Sequence, residues 1–130
     1  MIVIIATRWG SGGGGISAFN LALATALARR APATIACAVI SDSAADSPYE
    51  EAGVLLLPVR AGEGADRPAD DCGDAIIEML RMRARPDVSH WLGHDLITGP
   101  AAEAAARRYG GKTIIIHHMD YIAYQNPGGG

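Results

Sequence analysis

Met1-Ile2-Val3-Ile4-Ile5-Ala6-Thr7-Arg8-Trp9-Gly10-Ser11-Gly12-Gly13-Gly14-Gly15-Ile16-Ser17-Ala18-Phe19-Asn20-Leu21-Ala22-Leu23-Ala24-Thr25-Ala26-Leu27-Ala28 decides the fold of this chain. Ile2 to Ala6 is a short unbroken apolar run, as expected of a strand buried on both faces. Ile16 to Arg30 is rich in Ala and Leu and reads as a helix, closed by Arg29 and Arg30 where cations suit the helix dipole. Between them lies a glycine-rich turn. A turn of this kind lets backbone approach a ligand closely and aims free amides and the positive helix end at an anion, most often phosphate.

Downstream, apolar strands and helices keep alternating. Thr34 to Ile40 reads as a second strand, and Val54 to Val59 as a third that ends at Pro58. A polar Gly/Pro loop, residues 61–68, leads into a helix from about Asp70 to Ala84, acidic at its start and basic at its end. Val88 to Leu92 is a fourth strand. Thr98 is the expected cap of a helix with Pro100 in its first turn and Gly110-Gly111 at its end. Lys112 to His117 is a fifth strand. The pattern predicts an α/β fold, a Rossmann-like three-layer α/β/α arrangement with a mainly parallel sheet. Ligands in such sheets bind beyond the carboxyl ends of the strands. That selects residues 7–15, 93–98 and 118–126.

Bulk properties bound the function. The 130 residues suit one domain, 49% are apolar, and the net charge of -3 comes with no basic patch. Nucleic acid is therefore not an expected partner. No run approaches the ~20 apolar residues of a membrane span, and no signal peptide is evident, so a cytoplasmic protein without a transmembrane segment is expected. Cys37 and Cys72 read as buried thiols of a reducing compartment.

The glycine run contains G-x-G-x-x-G at Gly10, Gly12 and Gly15, but four adjacent glycines make that match nearly automatic. The acid at the end of the second strand, Asp42, lies 27 residues past Gly15 (42 minus 15), farther than the ~20 of a dinucleotide site. No Gly-Lys-Ser/Thr follows, which excludes a P-loop. Arg8 reads either as a solvated loop residue or as a cation that neutralises a phosphate. His90 reads as a packed core imidazole. His94 and Asp95, and His118 with Asp120, fall at the carboxyl edge, where imidazoles can hydrogen-bond substrate hydroxyls. A zinc site from His94, His118 and a carboxylate has no supporting cysteine or H-E-x-x-H spacing, so no metal is expected.

Three segments together resemble the amino-terminal domain of a family 4 glycosyltransferase of the two-Rossmann-domain, GT-B type. The first is Gly14-Gly15-Ile16-Ser17 leading to Leu21-Ala22 and Ala26-Leu27. The second is Arg85-Pro86-Asp87-Val88-Ser89-His90-Trp91-Leu92-Gly93-His94-Asp95 with Thr98-Gly99-Pro100, on which Ser89 and Gly93 depart from the family pattern. The third is Gly111-Lys112-Thr113-Ile114-Ile115-Ile116-His117-His118. The resemblance implies transfer of a sugar from a nucleotide-sugar donor to an acceptor, with retention and without a metal or other cofactor. It implies that Gly14, Gly15 and Arg8 meet the donor phosphate, that His94 and His118 sit at the reacting hydroxyls, and that Asp95 and Asp120 serve the acceptor.

In that family a carboxy-terminal nucleotide-binding domain completes the site. Residues 1–130 are then expected to be one Rossmann-like, acceptor-side half, a fragment or one part of a split enzyme, inactive alone. The alternative is a stand-alone nucleotide- or dinucleotide-binding module without catalysis.

Overall fold

The computed structural model describes residues 1–12, 14–41, 47–60, 72–85 and 87–118. The element order is β1 (Ile2–Ala6), α1 (Gly15–Arg30), β2 (Ile35–Ser41), β3 (Tyr49–Glu51), β4 (Val54–Arg60), α2 (Cys72–Met82), β5 (His90–His94), α3 (Asp95–Tyr109) and β6 (Lys112–Ile116). The six strands form one sheet in the order β3-β4-β2-β1-β5-β6. All neighbouring pairs are parallel except β3 with β4. The expected α/β class and mainly parallel sheet are therefore present.

Alternation along the central strands divides the core into two layers. Val3 and Ile5 face one side with Ala36, Ala38, Leu55, Leu57 and Trp91, and there α2 (Ile76, Leu80) and α3 (Ala101, Ala102, Ala105) cover them. Ile4 and Ala6 face the other side with Ile35, Cys37, Leu56 and Leu92, under Ala24 and Ala28 of α1. Each fully buried Ile or Leu contributes about 1.5–3 kcal/mol of transfer free energy, so this two-sided burial is what holds β1 at the centre. Ile4 lies between Cys37 of β2 and Leu92 of β5. The chain runs outward from β1 to β2 and β4 on one flank and to β5 and β6 on the other. Strand order thus reverses at β1 and β5, and a crevice opens there between the loops that leave them.

Several expectations need correction. The third strand does not stop at Pro58 but continues through it to Arg60, with Pro58 opposite Val39. The partner on the other flank, β3, reaches only as far as Leu56, so at Pro58 that flank asks for no donor. β3 itself was not expected, because Tyr49-Glu50-Glu51 carries no apolar alternation. It is set by a tight hairpin in which Ala52 and Gly53 both take positive φ, 52° and 80°.

The second helix is shorter than 70–84, and Asp70 and Asp71 lie outside the described residues. β5 begins at His90 rather than Val88 and runs through His94. α3 then starts at once, three residues before Thr98, which puts Pro100 beyond the first turn. His90 is half-buried and hydrogen-bonded to Ser89 Oγ at 2.8 Å rather than enclosed in the core. Gly110 does end α3, at φ 81° with its amide on Ala106 O.

Candidate functional site

A cleft of about 220 Å³ sits at the reversal of strand order, lined among others by Thr7, Arg8, Ser17, Asn20, His94 and Thr98. One wall is the turn from β1 into α1. Gly10 and Gly14 take φ of 118° and 99°, a region that only glycine enters without strain. The Ser17 hydroxyl donates to Gly10 O at 2.5 Å and pins the turn to the helix. Trp9 Nε1 donates to the Glu51 carboxylate, and its ring packs on the layer under α1. Gly14 caps α1 with no side-chain hydrogen bond, and no acidic residue occupies the first turn. The leading amides of α1 therefore have no acceptor within the helix. A Cβ added at Gly12, Gly14 or Gly15 would meet no described atom within 4 Å, so the Cβ side of these glycines is open.

The opposite wall is the β5–α3 junction. Gly93 permits it. A Cβ there would fall 2.6 Å from Thr98 O and 2.7 Å from Gly99 Cα, inside the first turns of α3. The next residues turn sharply. His94 caps the helix, its amide donating to Thr98 Oγ1 at 2.7 Å. Thr98 thus does serve the helix start, by reaching back a turn, although it is not itself the cap residue. Asp95 follows at φ 48°, left-handed for a non-glycine residue.

This turn drives the His94 ring inward, where it is 1% exposed. Its Nε2 lies 2.8 Å from Asn20 Oδ1, and its Nδ1 lies 2.8 Å from His118 Nε2. Asn20 Nδ2 in turn donates to Cys37 Sγ at 3.6 Å. A continuous polar chain therefore runs from β2, through α1 and β5, to the segment after β6. Phe19 closes over its outer end, edge-on to His118 with ring centroids 4.9 Å apart.

Asp95 fixes that outer end. Both carboxylate oxygens accept the His118 amide at 2.9 Å, and the Asp95 side chain is fully buried. His117 Nδ1 is 3.4 Å away, on a side chain 79% exposed. The His118 ring thus meets His94, while the His117 ring stays exposed beside Asp95. Burial pushes the His94 imidazole down to about 4, helped by the neighbouring His118 and opposed by the Asp95 carboxylate. His94 is therefore neutral at pH 7 and able both to donate and to accept. The Cys37 thiol is pushed up to about 12 by burial, against the Asn20 hydrogen bond, so it stays protonated. Among the described residues no three His, Cys, Asp or Glu side chains converge to hold a metal ion. Also among them, no helix is long and apolar enough to cross a membrane.

Residues 3–127 match the model of a family described as family 4 glycosyltransferase in conflict systems. The chain belongs to this glycosyltransferase family. No curated protein and no solved structure gives a match. Set on the family 4 glycosyltransferase domain, the expected site residues fall into three groups. Arg8, Gly14 and Gly15 lie on or beside the cleft's first wall. His94 lies on the second, and Asp95 and His118 are gathered beside it by hydrogen bonds. Asp120 lies outside the described residues.

Reading the sequence for motifs passes over Asn20 and Phe19, and assigns no contact within the site to Ser17, Thr98 or Cys37. A signal for two of them is present. The buried positions of α1 are Ser17, Asn20, Ala24 and Ala28. Their spacing marks the helix's inward stripe, and two polar side chains on such a stripe need partners.

Proposed function

We propose that this domain is the acceptor-side half of a GT-B glycosyltransferase that moves a sugar from a nucleotide-sugar to an acceptor hydroxyl. The observation carrying this is the pairing of two opposite chemistries across one cleft. The start of α1, whose first-turn amides have no acceptor within the helix, lines it with Arg8 on one side, and His94, hydrogen-bonded to His118, lines it on the other. The amides of Gly14 and Gly15 with Arg8 receive the donor diphosphate as its negative charge develops on departure. His94 and His118 hold the reacting hydroxyls. Asp95 serves the acceptor side indirectly, by fixing His118, and Asp120 meets the acceptor itself. The glycine at position 15 supports this reading. It has neither a positive φ nor a close neighbour, so the described chain alone does not require it.

In this reading a carboxy-terminal nucleotide-binding domain supplies the remaining donor contacts. Transfer proceeds with retention and without a metal, and residues 1–130 form one domain that is inactive alone. The test is calorimetry of the full chain with UDP, GDP, ADP and NAD, followed by labelled-sugar transfer with and without such a second domain. Weak binding alone, and transfer only in the combined protein, is the expected result. Robust turnover by the 130 residues alone would overturn the division of labour. Tight NAD binding by the free chain would instead favour a nucleotide-binding module without catalysis.

A further inference from the structure

We infer that Asn20 is a positioning residue that sets the tautomer of His94, and through it makes His118 Nδ1 a hydrogen-bond acceptor. The inference rests on the glycosyltransferase reading for its purpose, but its structural content stands apart from it. Asn20 is 1% exposed and stands on the inward stripe of α1, where an amide has no solvent to satisfy it. Its two ends meet different partners. Nδ2 points at Cys37 Sγ, and Oδ1 points at His94 Nε2. A protonated thiol sulfur is a weak acceptor that suits the amide's N–H, and the thiol's own hydrogen is directed to Ala38 O at 3.9 Å. The carbonyl end is thereby left for His94.

The polarity then propagates by valence alone. Oδ1 can only accept, so His94 Nε2 carries the proton. A neutral imidazole has one N–H, so His94 Nδ1 is a bare lone pair. That lone pair lies 2.8 Å from His118 Nε2, which must donate to it. His118 Nδ1 is then the acceptor, with no partner among the described residues, while the His118 backbone is gripped by Asp95. Among the described residues the titratable or charged groups near the pair are Asp95 bonded to the His118 backbone, His117 beside Asp95, Cys37 behind Asn20, and Arg8 across the cleft from His94. An acceptor nitrogen receives a neutral hydroxyl and is ill-suited to a phosphate oxygen, which has no hydrogen to give. The two sides thus differ, with donors at the start of α1 for an anion and, on the His118 that is bonded to the cleft's His94, an acceptor for a sugar or acceptor hydroxyl.

The test reads the tautomer directly, by long-range proton–nitrogen correlation NMR on the full chain labelled with nitrogen-15 in histidine. At pH 7.5 the wild type is expected to show His94 with Nε2 protonated and Nδ1 bare, and His118 with Nε2 protonated. A His94 protonated at Nδ1 would overturn the inference before any variant is made. In Asn20→Leu the acceptor is gone and His94 is expected to move its proton to Nδ1, reversing His118 in turn. An unchanged His94 signature in a folded Asn20→Leu would also overturn it.

Asn20→Asp guards against a leucine variant that fails to fold. It keeps only acceptors, so it retains the Nε2–H tautomer and raises the pH at which His94 titrates. Loss of that tautomer in Asn20→Asp counts against the inference. In a transfer assay with the second domain present, Asn20→Leu is expected to lower kcat at least tenfold with KM little changed, and Asn20→Asp to restore part of it. Correct tautomers with no transfer under any condition would sink the glycosyltransferase reading while leaving this inference standing.

Discussion

The region beneath α2 and the crevice between β1 and β5 are built from opposite materials in the same sheet. Beneath α2 the buried side chains are Cys72, Ile76, Leu80, Leu55, Leu57 and Val59, with no buried polar group from the helix. At the crevice lie all five of the described buried polar residues: Ser17, Asn20, His94, Asp95 and Thr98. Buried polar groups are tolerable only when partnered, and among the described residues none is left without a partner. The dry region supplies stability by area. The crevice gives up some of that area to hold a fixed polar arrangement beside an open cleft. The candidate site lies where the sheet is least economical as a core.

The largest expected effect comes from the hinge of the polar region. Gly93→Val forces a side chain into the backbone of Thr98 and Gly99, and should destabilise the fold by about 4 kcal/mol or more in chemical denaturation. Next, Leu57→Ala in the dry region should cost about 3 kcal/mol, yet leave the affinity of the remaining folded protein for a nucleoside diphosphate unchanged. A matching loss of affinity would show that the two regions are energetically coupled.

Acid should act on the polar region alone. The folded His94 titrates near 4 against an ordinary 6.5, so between these values the unfolded chain binds a proton the native state refuses. Stability is then full above about pH 6.5 and falls towards pH 4, by about 2 kcal/mol after allowance for solvent near the cleft. Denaturation midpoints across that range should slope in the wild type and flatten in His94→Gln. The smallest effect on stability belongs to Gly15→Ala. With open space around it and a helical position, it should be neutral or stabilising by about 0.5 kcal/mol. It should nevertheless weaken diphosphate binding about tenfold, roughly 1.4 kcal/mol, which separates the use of this glycine from folding.

The sheet was legible because β1, β2 and β4 are apolar on both faces, a pattern with few other readings. The position of the cleft followed from the same alternation, since a parallel sheet dictates where its loops gather. The β3 hairpin was not legible, because its cause is the positive φ of Ala52, a residue with no sequence preference for it. The start of α3 was misplaced for a related reason. Asp95 in a left-handed conformation lets strand pass into helix without a loop, and Thr98, which looks like a cap, works from inside the helix. The partnership of Asn20 with His94 spans 74 residues, and no local pattern reports so distant a contact.

The Asp95 carboxylate and the His118 amide have a consequence for the order in which the molecule is made. β1, α1 and β2 are complete early in the chain, and His94 meets Asn20 once β5 has docked. His118 is fixed only after α3 and β6 are in place, 23 residues beyond Asp95. The outer half of the histidine pair is therefore the last described part of the site to be laid down. On the ribosome, a nascent chain that has emerged only as far as β5 lacks Ile97 and Thr98, which line the cleft, as well as His118, the partner of His94.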